Sequence, residues 1–223
     1  MTLVKTAICL TPLSFNTRRQ ASMGTKQRRE RQKESLRQEI LDAARELFIK
    51  EGYDNVSMRR IAEKIEYSPT TIYLYFEDKA DLLFHLCEET FAQLASKSEE
   101  LLKDQSDPIQ TLKKIGRAYV DFGLKHPNHY RVTFINHPSV QVTPDHYEHS
   151  TGRKAFNLLK RAVEECIKQK EIRVIDADVA SQALWAAVHG ITSLLITHPN
   201  YPWVQDEKTI DLVIDSMCAG LRG

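Results

Sequence analysis

Glycine and proline are scarce, eight of each among 223 residues. That excludes collagen-like and low-complexity chains. No stretch alternates apolar and polar residues at period two, and β-branched runs are few, so strands are not expected. The four cysteines, Cys9, Cys87, Cys166 and Cys218, have neither paired nor metal-ligand spacing. A chain of this length needs no disulfide staples, so they read as reduced thiols of a cytoplasmic protein. No uninterrupted apolar run reaches the length of a membrane span, and no membrane partner is expected. The opening MTLVKTAICLTPLSF is a short apolar stretch interrupted by Pro12 and followed, not preceded, by its arginines, unlike a signal peptide. There is no phosphate-cradling glycine loop, no nucleophile–base–acid set and no metal motif. An enzyme is therefore not expected, and neither is a cofactor. The histidines His126, His129, His137, His146 and His149 gather around one loop without ligand spacing, so no metal site is assigned.

What is present begins with charge. Residues 1–33 carry eight basic side chains, including Arg28, Arg29 and Arg31, against Glu30 alone. That segment is +7 and the remainder −6 in a chain whose total is +1. A basic arm on an acidic body fits either a polyanion partner or a disordered, solubilising extension. Met23, just ahead of the charged run, is a candidate alternative translation start.

After residue 34 nearly everything reads as helix. Leu36, Ile40, Leu41, Ala44, Leu47 and Phe48 form a helical stripe, with Gly52 as its stop. Ser57, Asp78, Asp107 and Asp176 are placed as N-caps, and Pro69 suits a first helical turn. The segment of residues 57–76 has helix-turn-helix spacing, with SPTTIYLYF as the second helix. That helix is free of acids, as a helix facing phosphates must be. Thr70 and Thr71 offer hydroxyls and methyls to base edges, and Tyr73 and Tyr75 offer phenols to phosphates. Ile72 and Phe76, four apart, anchor it inward. Arg59 and Arg60 add charge on the same rim, and Lys79 opens the next helix, whose amides also favour phosphate.

The run ILDAARELFIKEGYDNVSMRRIAEKIEYSPTTIYLYFEDKADLL strongly resembles the DNA-binding domain of the TetR family of transcriptional regulators. The match carries AARELF, Gly52, SMRRIAEKI, TTIYLYF and DKADLL. It spans residues 34–94 without a gap. The resemblance implies an all-α homodimer of about nine helices per chain, with an N-terminal helix-turn-helix domain and a C-terminal antiparallel bundle over residues 95–223. It places Arg59, Pro69, Thr70, Thr71, Tyr73, Tyr75 and Lys79 at operator-contacting positions. Glu66 departs from the family, where the turn often has glycine, and is expected to carry a positive φ. Extensions ahead of the first helix lie along the minor groove in this fold, a role open to Arg28, Arg29 and Arg31.

ALWAAVHGITSLLI, with Trp185, His189 and Gly190, resembles the Trp-His-Gly signature of one TetR C-terminal subgroup. This implies a dimer formed by the last two helices. Ala183, Ala187 and Gly190 would let those helices approach closely. Candidate ligand contacts are Tyr119, Phe122, Tyr130, Phe134, Phe156, Trp185 and His189, although for most of them core packing is the stronger reading. The function implied is a repressor that binds a palindromic operator and is released by a small lipophilic molecule. The alternatives are an architectural DNA-binding protein without a ligand, and an all-helical enzyme.

Overall fold

The computed structural model describes residues 24–104, 106–135, 148–174 and 176–222. Among them lie nine α-helices, one π-helical turn and no strand. The first helix, α1 (Thr25–Glu51), starts earlier than its apolar stripe predicts. Residues 26–35 are almost all lysine, arginine, glutamine and glutamate, good helix formers that offer no apolar face to read. The expected disordered extension is therefore helical from Thr25 onward. Residues 1–23, with Cys9 and Met23, lie outside the described residues.

Residues 1–36 and 37–223 form two separate compact units. In the first, residues 26–35 are exposed. In the second, Ile40, Leu41, Ala44, Leu47 and Phe48 are buried as the stripe predicts. Gly52 ends α1 at φ 82°. There follow α2 (Met58–Lys64), α3 (Pro69–Tyr73) and α4 (Lys79–Leu101). Arg45, nearly buried, bridges Asp42 at 2.6 Å on its own helix and Glu89 at 2.7 Å on α4.

The rest of the unit is a helical bundle. It comprises α5 (Pro108–Lys125), α6 (Pro127–Tyr130), a π-turn (Arg131–Ile135), α7 (Thr151–Lys168), α8 (Ala177–Thr197) and α9 (Asp206–Leu221). The caps read from the sequence all form: the side chains of Ser57, Asp78, Asp107 and Asp176 accept from the amides of Arg60, Asp81, Gln110 and Val179. α4 packs on α5 and α7, and α5 packs on α8 and α9. Gly123 sets the α5–α8 approach, since a Cβ there would lie 2.3 Å from the Thr192 methyl. α4 runs unbroken through residue 94 to Leu101, and residues 37–223 form one compact unit. One feature differs from the sequence expectation. α8 is long and apolar enough, by length and composition, to cross a membrane, although under half of its apolar window is buried. It is apolar on both faces, so single interruptions such as Asp178 and His189 hid its hydrophobicity.

Candidate nucleic-acid interface and internal cavity

The helix-turn-helix is built by its caps and two anchors. Ser57 starts α2, which buries Met58, Ile61 and Ala62. The turn passes through Glu66 at φ 60°, a left-handed conformation that costs a non-glycine residue about 1–2 kcal/mol. Ser68 then caps α3, its Oγ accepting from the Thr71 amide and lying 2.9 Å from the Thr71 hydroxyl. Pro69 occupies the first turn, where no amide is needed. α3 itself is one short piece, and the chain continues through tight turns from Leu74 to Phe76. Ile72 and Phe76 are buried, and the Arg37 guanidinium sits 5.4 Å over the Phe76 ring.

The opposite face is open. Thr70 and Arg59 are exposed, Tyr73 is 55% exposed, and Thr71 and Tyr75 are half-buried. Arg59 has no ionic partner among the described residues. Two predicted rim cations are already engaged. The Arg60 guanidinium holds Glu51 at 3.0 and 3.4 Å, which cancels its charge locally and raises its pKa. Glu51 lies nine positions back, across a turn, where helical spacing gives no hint of it. Lys79 donates to the Tyr53 carbonyl at 2.7 Å and lies 4.2 Å over the Tyr53 ring. An ammonium has three hydrogens, so two remain for other acceptors. One residue was missed. Leu74 is 74% exposed, more than any other large apolar side chain described in this region.

A cavity of about 690 Å³ lies among α4, α5, α7, α8 and α9. Its wall follows α4 from Ala80 to Ser98, a length of about 27 Å at the ~1.5 Å rise of a helix. Tyr119, Phe122, Phe134, Phe156 and Trp185 line it, as the sequence suggested. Tyr130 and His189 do not. Tyr130 is fully buried, its hydroxyl 2.7 Å from His189 Nδ1 and its ring stacked on the imidazole. They form a layer behind the wall, and an apolar stripe cannot separate the two layers. Missed altogether were the α4 wall (Leu83, Phe84, Cys87, Phe91) and the α9 wall (Ile214, Met217).

The wall is mostly apolar, but Gln93, Lys97, Ser98, Asp121, Lys125 and His126 also lie on it, and several of its polar groups are spent within the protein. Glu88 accepts from the Thr151 amide at 3.0 Å and from its hydroxyl at 2.5 Å. Thr133 donates to Thr90 at 3.0 Å. Trp185 donates from Nε1 to the Tyr119 oxygen at 3.3 Å. Burial pushes the Tyr119 phenol up to about 12 and the Cys87 thiol to about 12, so both are neutral. Burial lowers the His189 pKa, which favours a neutral ring. No group of three His, Cys, Asp or Glu that could hold a metal occurs among the described residues, and His137 and His146 lie outside them.

Residues 40–86 match the family model of bacterial regulatory proteins, tetR family. Residues 112–217 match that of the tetracyclin repressor-like C-terminal domain. The chain is similar to the fatty acid metabolism regulator protein of Bacillus subtilis (strain 168): 24% identical over 184 residues, 82% of this chain and 91% of that one. A shorter stretch is similar to the HTH-type transcriptional repressor KstR of Mycobacterium tuberculosis (strain ATCC 25618 / H37Rv), 30% identical over 103 residues and 44% of each chain. Among solved structures, the regulator FadR from Bacillus subtilis in complex with stearoyl-CoA shares the fold. Its TM-score is 0.72 at 22% identity, over 83% of this chain and 99% of that one.

Proposed function

Because this chain belongs to the TetR family of bacterial regulatory proteins, we propose that it is an operator-binding repressor released by a long-chain acyl thioester. It is a transcriptional regulator and not an enzyme. One observation carries the ligand reading: an apolar cavity extended along nearly the whole of α4. Its length suits a linear chain better than a compact ring system. The stearoyl-CoA bound by the FadR structure is a ligand of that kind.

The mechanism follows from α4. Its first residue, Lys79, is bonded to the Tyr53 carbonyl beside the helix-turn-helix, and its later turns form the cavity wall. A chain that fills the cavity and displaces α4 would move the recognition helix with it. In a dimer, two such helices must sit about 34–36 Å apart to enter successive major grooves. A ligand that favours another spacing lowers operator affinity by its preference for that state.

We assign the dimer to α8 and α9. Val179, Trp185, Leu194 and Leu212 are exposed there, and Gly190 and Gly220 have open space around them. An apolar outer face on α8 suits a partner subunit and explains its membrane-like composition. On the DNA side, Thr70, Thr71, Tyr73, Tyr75 and Arg59 meet the operator, with Leu74 against thymine methyls. Arg28 and Arg29 stand on a helix about 10–12 Å across, too wide for a minor groove of about 6 Å, so they track phosphates instead of the groove floor. A regulator of this kind works beside the chromosome, in the cytoplasm.

The test is selection of bound duplexes from a random pool. A palindromic consensus is expected. Recovery of DNA with no sequence preference would leave only an architectural role.

A further inference from the structure

We propose that Gly152 and Phe91 set the bore of the cavity between its two ends, so that it admits an acyl chain long enough to lie on both sides of the Phe91 ring. The inference rests on the acyl reading above and adds to it the pair of residues that decides which chain length is accepted. Both residues line the cavity, Phe91 on α4 and Gly152 in the first turn of α7. Along the α4 wall Phe91 stands eleven positions from Ala80 and seven from Ser98, about 16 and 10 Å at the ~1.5 Å rise of a helix. A long chain that enters from either end must pass this ring.

The ring is held aside by a missing side chain. A Cβ at Gly152 would lie 3.2, 3.3 and 3.4 Å from the Cε2, Cδ2 and Cζ atoms of Phe91. Carbon atoms pack best at about 3.5–4.0 Å, so the ring occupies space that any other residue at 152 would claim. The backbone of Gly152 is not free to withdraw, because the preceding residue is tied to α4. The Thr151 amide donates to both carboxylate oxygens of Glu88 at 3.0 Å, and the Thr151 hydroxyl donates to one of them. Glu88 lies three residues before Phe91, a spacing that puts the two on one face of α4. Nor does the chain direction at 152 demand glycine, since Gly152 does not share the positive φ of Gly52. What the small residue serves is the contact with Phe91. The Phe134 ring also stands edge-on to Phe91, at 5.5 Å between centroids and 89° between planes. A side chain at 152 would push the Phe91 ring off Gly152, and with Phe134 beside it the open direction is the cavity that both rings line.

The experiment measures the binding of octanoyl-CoA and hexadecanoyl-CoA by calorimetry. The proteins are the full-length wild type, Gly152→Val, Phe91→Ala and the two changes combined, with folding checked by circular dichroism. An octanoyl chain is short enough to stay on one side of Phe91, and a hexadecanoyl chain is not. Gly152→Val should bind hexadecanoyl-CoA at least about tenfold more weakly than the wild type, the loss of about two buried methylenes at roughly fourfold each. Its affinity for octanoyl-CoA should change little. The double variant has no ring to displace, so it should bind hexadecanoyl-CoA about as well as Phe91→Ala alone, a non-additivity that marks the two residues as coupled. If valine prevents folding, Gly152→Ala replaces it. Its Cβ meets the ring directly, so the same pattern is expected with a smaller loss, and no loss overturns the inference. Full affinity of Gly152→Val for hexadecanoyl-CoA, an equal loss for both probes, or a loss that persists in the double variant also overturns the inference while the acyl reading stands. Binding of neither probe by the wild type overturns both.

Discussion

Ile72 and Leu74 are two residues apart, yet Ile72 is fully buried and Leu74 is 74% exposed. The first holds the recognition helix to its domain, and the second has nothing among the described residues to cover it. Helical spacing predicted the anchor pair Ile72 and Phe76, and with it the outward face of Tyr73. It gave no reason to notice Leu74, because an exposed leucine is ordinary on a protein surface. Its position at the C-cap of the helix proposed to face bases makes it informative. A thymine methyl against Leu74 buries about one methyl group, worth roughly fourfold in affinity. Replacing operator thymines by uracil at the contacted step should therefore weaken wild-type binding by about that factor, and Leu74→Ala should bind both DNAs alike. Band-shift titration with the two DNAs reads this directly. A wild type indifferent to the methyl would remove Leu74 from the reading surface. Arg60 illustrates the opposite case. Its charge was legible, but the Glu51 that takes it was not, because the pair forms across a turn.

Among the elements, starts were more legible than packing. Four N-caps formed where a short polar residue preceded an apolar stripe, since the cap chemistry is local. The start of α1 was hidden because its first turns have propensity without periodicity. The cavity wall was half-legible for a related reason. Tyr119 and Tyr130 both read as apolar helix positions, and only the packing of α5 against α8 puts one on the wall and the other behind it. That packing depends on Gly123. An added Cβ would meet the Thr192 methyl at 2.3 Å and the Tyr130 ring at 2.9 Å. Gly123→Ala gains up to about 1 kcal/mol of helix propensity. It loses about 1–3 kcal/mol to overpacking, and strain at buried Thr192 and Tyr130 places it at the high end. We expect a net loss of stability and a disturbed Tyr119–His189 cluster, seen as a lower midpoint in denaturant. An unchanged midpoint would mean that the two helices have room to separate.

At the scale of the molecule, the family, the helical class and the helix-turn-helix could be read from one sequence because their motif is local and contiguous. The cavity could not, because its wall is assembled from five helices. Nor could the unity of residues 37–223, in which α4 belongs at once to the reading domain and to the bundle. That shared helix is the centre of the account: what fills the cavity should change what the recognition helix can reach. The most direct measurement is the fluorescence anisotropy of a labelled operator as hexadecanoyl-CoA is added, with ligand occupancy followed in parallel by thermal shift. Saturating ligand should weaken operator binding by at least about fivefold, the low end of allosteric coupling. A ligand that raises the melting temperature but leaves operator affinity unchanged would contradict the account.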